Sequence, residues 1–163
     1  MTSVTLFVCG EALRGDDGAA SAAVSELPPQ ARLAVHVREV GALAVEDLLA
    51  LSPGSAAIVV DAVVGVEPGR LVSFDLVDLA AQAPGLRPRS THQLPLDQVV
   101  GMAELLGAVV RGTFVGVGGL DFGYGRPLSE PVRHALPGLR AALTAEIERL
   151  GGGAGPSRTR PAG

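Results

Sequence analysis

Residues Ala56–Val63 read AAIVVDAV, an apolar run interrupted by one carboxylate, Asp61. The run has no polar face and is rich in β-branched residues, so it reads as a strand covered on both sides. Covering both faces of a sheet takes helices above and below it, which is the logic of a three-layer α/β/α domain. Val4–Val8 repeats the pattern, and Thr113–Val117 reads as the last strand. Leu33–Val40 alternates Leu33, Val35 and Val37 with Arg32, His36 and Arg38, which predicts a strand with one wetter face. Helical spacing fills the intervals from about Asp17 to Leu27, closed by Pro28-Pro29, and from Ala44 to Leu51, closed by Ser52-Pro53-Gly54.

A further strand, Leu71–Asp75, begins only a short turn after AAIVVDAV, through GVEPG. A parallel crossover needs about a dozen residues, so this strand is expected to run antiparallel to its predecessor, giving a mixed sheet. The segment from Ala80 to Gln93 carries prolines, a glycine and arginines and reads as a surface loop. Pro95 opens a helix that continues to about Leu106. Ser129 is the expected N-cap of a C-terminal helix reaching about Leu150, with a bend expected at Pro137. The fold class expected is a three-layer α/β/α sandwich with a mixed, mostly parallel sheet of about five strands. Residues 1–150 form a single domain on this reading, and the glycine-rich stretch 151–163 is a disordered tail.

Composition removes several function classes. Every basic residue is arginine, so the phosphate-binding P-loop and Schiff-base chemistry, which need lysine, are excluded. The net charge of −4 argues against nucleic acid or an anionic membrane surface as a partner. The single cysteine, Cys9, allows neither an internal disulfide nor a cysteine-rich metal site. The N-terminus shows no leader pattern, and no apolar stretch approaches the roughly 20 residues of a membrane helix. A cytoplasmic protein, monomeric and independent of membranes, is the expectation.

In open α/β sheets, sites form beyond the carboxyl ends of the strands. Asp16 and Asp17 fall there, in the loop after the first strand, within GEALRGDDGAA. Asp61 closes the central strand, and His92 lies in the loop ahead of the helix that Pro95 opens. Two carboxylates and an imidazole with open positions left over suit a borderline divalent metal. Each residue also has a plainer role. Asp16 is placed to cap a helix, Asp17 to complement its dipole, Asp61 to shape a turn, and His92 to sit exposed in its loop. Cys9 fits buried packing, and Ser90 fits loop hydrogen bonding. His36 and His134 fit solvated or structural positions. There is no G-x-S-x-G elbow and no H-E-x-x-H, and Asp121 stands where a dinucleotide fingerprint needs its third glycine.

Five stretches then fall in a telling order: CGEALRGDDGAASAAVSEL, VGALAVEDLL, VVDAVVGVEPG, STHQLPL and GRPLSEPVRHAL. The set resembles the hydrogenase maturation proteases. Their corresponding patterns are G-x-G-N-x-L-x-x-D-(D/E)-G-x-G, a glycine turn into a helix, D-A-x-x-x-G-x-x-P-G, S-x-H-x-x-x-L and G-x-x-L-S-x-x-V. The sequence departs from them at Glu11, Ala20 and Gly119-Leu120.

The resemblance implies a phosphorylase/hydrolase-like fold and an aspartic-type endopeptidase. Such an enzyme removes a C-terminal extension from the nickel-loaded large-subunit precursor of a nickel–iron hydrogenase. It implies that Asp17, Asp61 and His92 form the metal-binding and catalytic set, while Asp16 caps the helix and positions the loop. It also implies that nickel arrives with the precursor, and that zinc or cadmium can substitute for it in a crystal. Two other readings stand beside it: a non-cleaving paralogue that holds the precursor as a binding or chaperone module, and a general metal-dependent hydrolase on the same scaffold.

Overall fold

The computed structural model describes residues 2–79 and 94–152. Among them, five strands form one sheet in the order β2-β1-β3-β5-β4. The strands are β1 (Val4–Cys9), β2 (His36–Gly41), β3 (Ala56–Val63), β4 (Leu71–Asp75) and β5 (Gly112–Gly118). β1 pairs in parallel with β2 and β3, β3 pairs in parallel with β5, and β4 closes the edge antiparallel to β5.

Helices cover both faces. α1 (Ala19–Ser25), α2 (Pro29–Leu33) and α5 (Glu130–Gly151) pack on one side, against Val4, Leu6, Val8, Ile58, Val60 and Val115. α3 (Val45–Leu49) and α4 (Leu96–Leu105) pack on the other, against Phe7, Cys9, Val59, Val63 and Phe114. Successive strand residues point to opposite faces, so a run such as AAIVVDAV feeds both cores at once. α5 contributes the longest apolar stripe, Leu139, Leu143, Ile147 and Leu150, at helical spacing. Each of these burials is worth roughly 1.5–3 kcal/mol.

The three-layer mixed sheet matches the expected fold class. Three local expectations change. Leu33 is not in a strand; it ends α2, which opens with Pro29 at its first position, and its side chain is 88% exposed. An apolar residue on a helix surface had produced the alternating pattern. β4 does run opposite to β3, but its neighbour is β5, which inserts between them. Asp61 does not end the central strand, since β3 continues to Val63. α5 runs through Pro137 without a break in the helix. The expected loop from Ala80 to Gln93 lies outside the described residues, as does most of the expected tail.

Candidate active site

The parallel strands β1 and β3 deliver their carboxyl ends to the same sheet edge. Just past β1 the chain turns on Gly10, which has φ 96 and hydrogen-bonds through its N–H to the Gly41 carbonyl at 2.7 Å. Only glycine fits there, because a Cβ would strike the carbonyl oxygen of Asp17 as the loop folds back. The loop is then closed by Asp17 itself, whose Oδ2 accepts the Glu11 N–H at 2.9 Å. Gly15 (φ 57) makes the second tight approach, with its Cα against the Asp121 carbonyl. Gly10–Gly18 therefore folds as a shaped rim and holds Asp17 half-buried within it.

Asp16 has a different role from the one expected. α1 is preceded by Gly18 with no side-chain cap, so Asp16 caps nothing next to it. Its fully buried carboxylate instead reaches across the molecule to the loop between β5 and α5. Leu120 N–H and Asp121 N–H donate to Oδ2 at 2.7 and 2.9 Å, and the Ser129 hydroxyl adds a third bond at 2.8 Å. Ser129 N–H donates to Oδ1 at 2.7 Å. Ser129 is the N-cap residue of α5, so the carboxylate faces the positive end of a 22-residue helix. Burial alone would raise the Asp16 pKa, but the donors from Asp121, Leu120 and Ser129 outweigh it and hold the carboxyl below its usual range. Ser129 does occupy the expected N-cap position, yet its hydroxyl serves Asp16 and not the helix.

Main-chain bonds fasten the same two loops. Asp16 N–H donates to the Asp121 carbonyl at 2.7 Å, and Gly125 N–H donates to the Leu13 carbonyl at 2.8 Å. The first-strand loop and the β5–α5 loop thus form one tied platform at the carboxyl edge.

Asp61 sits on β3 opposite Gly116 of β5, on the sheet face shared by Cys9, Val59 and Val63. Cys9 occupies the corresponding end of β1, 4% exposed. Burial, and then the negative charge of Asp61, push the thiol well above its ordinary range. Asp47 and Asp17 add to this, against a hydrogen bond with the Leu43 backbone. A thiol so placed stays protonated and is no nucleophile. Asp17 lies in the loop that follows β1, and Asp61 lies in the carboxyl half of β3. His92, the expected third member, and Ser90 lie outside the described residues. Among the described residues alone, no trio of His, Cys, Asp or Glu converges at metal-binding distance.

Sequence reasoning read Asp121 only against a dinucleotide fingerprint and Leu120 only as a departure from the family pattern, and it did not single out Arg14. The glycines Gly118 and Gly119, just before the tethered amides, were the available signal for the first two.

The mixed α/β/α domain carries Asp17 and Asp61 towards the carboxyl edge of its sheet. The family model for hydrogenase maturation proteases matches residues 22–146. The chain belongs to the hydrogenase maturation protease family, which makes it a peptidase by class. No curated protein matches it. Solved structures share its fold. The hydrogenase maturation protease HybD of Thermococcus kodakarensis aligns with a TM-score of 0.62 and 20% identity, over 92% of this chain and 99% of that one. The maturating endopeptidase HybD of E. coli aligns at 0.69 and 19%, over 91% and 93%. The endopeptidase HycI of Escherichia coli aligns at 0.64 and 22%, over 93% and 94%. Among the described residues, no helix is long and apolar enough to cross a membrane.

Proposed function

We propose that this chain cleaves the C-terminal extension of a hydrogenase large-subunit precursor once nickel has been inserted. Nickel belongs to the substrate on this reading. Asp17 and Asp61 offer it oxygen ligands and His92 an imidazole nitrogen, a donor set that suits a borderline divalent ion. Holding the loaded precursor in this way sets its C-terminal segment against the platform made by the two tied loops. The observation that carries the reading is the position of Asp17 and Asp61. Asp17 lies in the loop that follows β1, and Asp61 lies in the carboxyl half of the neighbouring β3, on the sheet face of the buried Cys9 that ends β1. The raised Cys9 pKa argues against a cysteine-protease route on the same scaffold.

The test mixes purified protein with nickel-loaded precursor and follows mass loss at the precursor C-terminus. Wild type is expected to cleave, and Asp17→Asn, Asp61→Asn and His92→Ala to lose about 100-fold or more in rate, as misplaced reacting groups do. Cleavage at the wild-type rate in all of these variants would overturn the assignment of the three residues. A wild-type complex that forms without cleavage would point to the non-cleaving paralogue.

A further inference from the structure

Arg14 lies in the loop that carries Asp17, and its charge is left unanswered. The described arginines 38, 126, 140 and 149 have carboxylate partners. Those without one are Arg32, Arg70, Arg111 and Arg133, which are exposed, and Arg14, which is partly buried. The Nε of Arg14 is shut off from solvent with no hydrogen-bond partner. Its terminal nitrogens are not shut off in this way. One side of the guanidinium is thus enclosed while its terminal nitrogens are not.

This is an unusual state for an acidic chain with a net charge of −4. Glu11, Asp16, Asp17 and Asp121 all belong to the same platform, yet none pairs with it. Asp16 is satisfied by its four donors, Asp17 accepts from Glu11 N–H, and Asp121 faces Gly123 N–H and Arg126. Nε itself is out of reach of an outside partner, so a ligand meets the two terminal nitrogens, which take no hydrogen bond among the described residues. Those two nitrogens match a carboxylate bidentately. Beside it the platform exposes apolar surface: Leu13, 61% accessible, and Tyr124, 73% accessible, on loops joined by the Gly125 N–H to Leu13 carbonyl bond.

We infer that Arg14 is a specificity-determining residue that takes hold of a carboxylate on the substrate protein, with Leu13 and Tyr124 covering the apolar residues next to it. The inference rests on the protease reading above and deepens it. The cleaved segment, or the residues flanking the cut, carry an acidic group at a fixed distance from the bond. That group is either an Asp or Glu side chain or the terminal carboxylate of the precursor.

Steady-state cleavage of nickel-loaded precursor by wild type, Arg14→Met and Arg14→Lys tests this, together with thermal melts. Arg14→Met keeps the stem and removes the charge. It is expected to raise KM about 10-fold, with kcat within about twofold, as loss of a charge-assisted bidentate contact does. Its melting temperature should be unchanged or higher, because an enclosed donor without a partner is a cost to the fold. Arg14→Lys should recover part of the KM, since charge survives and the fork does not. Two altered precursors identify the source: one with acids near the cut changed to amides, one with an amidated C-terminus. The altered precursor that lacks the recognised carboxylate should raise KM for wild type and leave Arg14→Met unmoved. An unchanged KM in Arg14→Met, a lowered melting temperature with kcat lost, or wild-type indifference to both altered precursors would overturn the inference while leaving the protease assignment standing. Failure of wild type to cut any loaded precursor would instead overturn the protease reading, and this inference with it.

Discussion

At the amino-terminal edge of the sheet, Thr113, Glu146 and Arg149 answer one another. Thr113 Oγ1 donates to Glu146 Oε2 at 2.8 Å, and Arg149 donates to both partners, at 2.9 Å to Thr113 and 2.7 Å to Glu146. Burial would raise the Glu146 pKa, but Arg149 and Thr113 lower it overall, while Arg149 is itself raised by Glu146. The carboxyl edge is arranged in the opposite way. Asp17 and Asp61 both bear on the Cys9 thiol, and Arg14, in the loop that carries Asp17, has no carboxylate partner among the described residues. Asp16 is held there by main-chain and hydroxyl donors, not by a cation. Opposite charges that neutralise each other fasten a fold. An arginine kept apart from carboxylates on the platform is available to something that binds.

The sharpest way to break this comparison is to remove the fully buried acid at the carboxyl edge. Asp16→Ala should cost about 3 kcal/mol, because it strands buried amide donors and frees the N-terminus of α5. The loss is read from chemical denaturation. The carboxyl is held below its usual range in the folded state, so the folded protein binds that proton less readily than the unfolded chain. Its contribution is therefore complete above the unfolded value of about 4 and fades as pH falls through the lower folded value. Wild type and variant should differ most at neutral pH and converge in acid; curves that stay parallel would remove the carboxylate from the account.

Smaller effects sharpen the contrast. Cys9→Ala should cost about 1 kcal/mol for the lost packing and leave cleavage within about twofold, since the protonated thiol takes no part. Abolished cleavage in a variant that still folds would bring Cys9 into the site. Thr113→Val at the opposite edge should cost about 1 kcal/mol and leave KM and kcat unchanged. The smallest effect belongs to the exposed pair of Arg140 and Glu26, where Arg140→Ala should move stability by less than about 0.5 kcal/mol.

Much of the architecture was legible from burial. AAIVVDAV and VTLFVC are apolar on both faces because helices cover both faces, and that alone forces the three layers. The alternation around Leu33 misled because a short period-two pattern cannot distinguish a strand from a helix turn carrying an exposed leucine. The strand order was out of reach for another reason: GVEPG dictates that β4 reverses direction but says nothing of β5 inserting beside β3. Within the site, the placement of Asp17 in the loop after β1 could be read from the sequence, while Asp61 falls inside the strand it was expected to close. The work of Asp16 could not be read there, since its donors lie more than a hundred residues away, at Leu120, Asp121 and Ser129. A local rule offered a cap for the nearest helix, and the tertiary fold assigned that carboxylate to the farthest one. Arg14 escaped notice because a missing partner leaves no trace in sequence.

The central claim is that Asp17 and Asp61 at the carboxyl edge respond to a metal carried by the substrate. Mass spectrometry of one precursor, prepared with and without nickel and incubated with wild-type protein and with Asp61→Asn, tests it most directly. The account predicts loss of the C-terminal extension only from the loaded precursor and only with wild type. Equal processing of loaded and empty precursor, by both proteins, would contradict it.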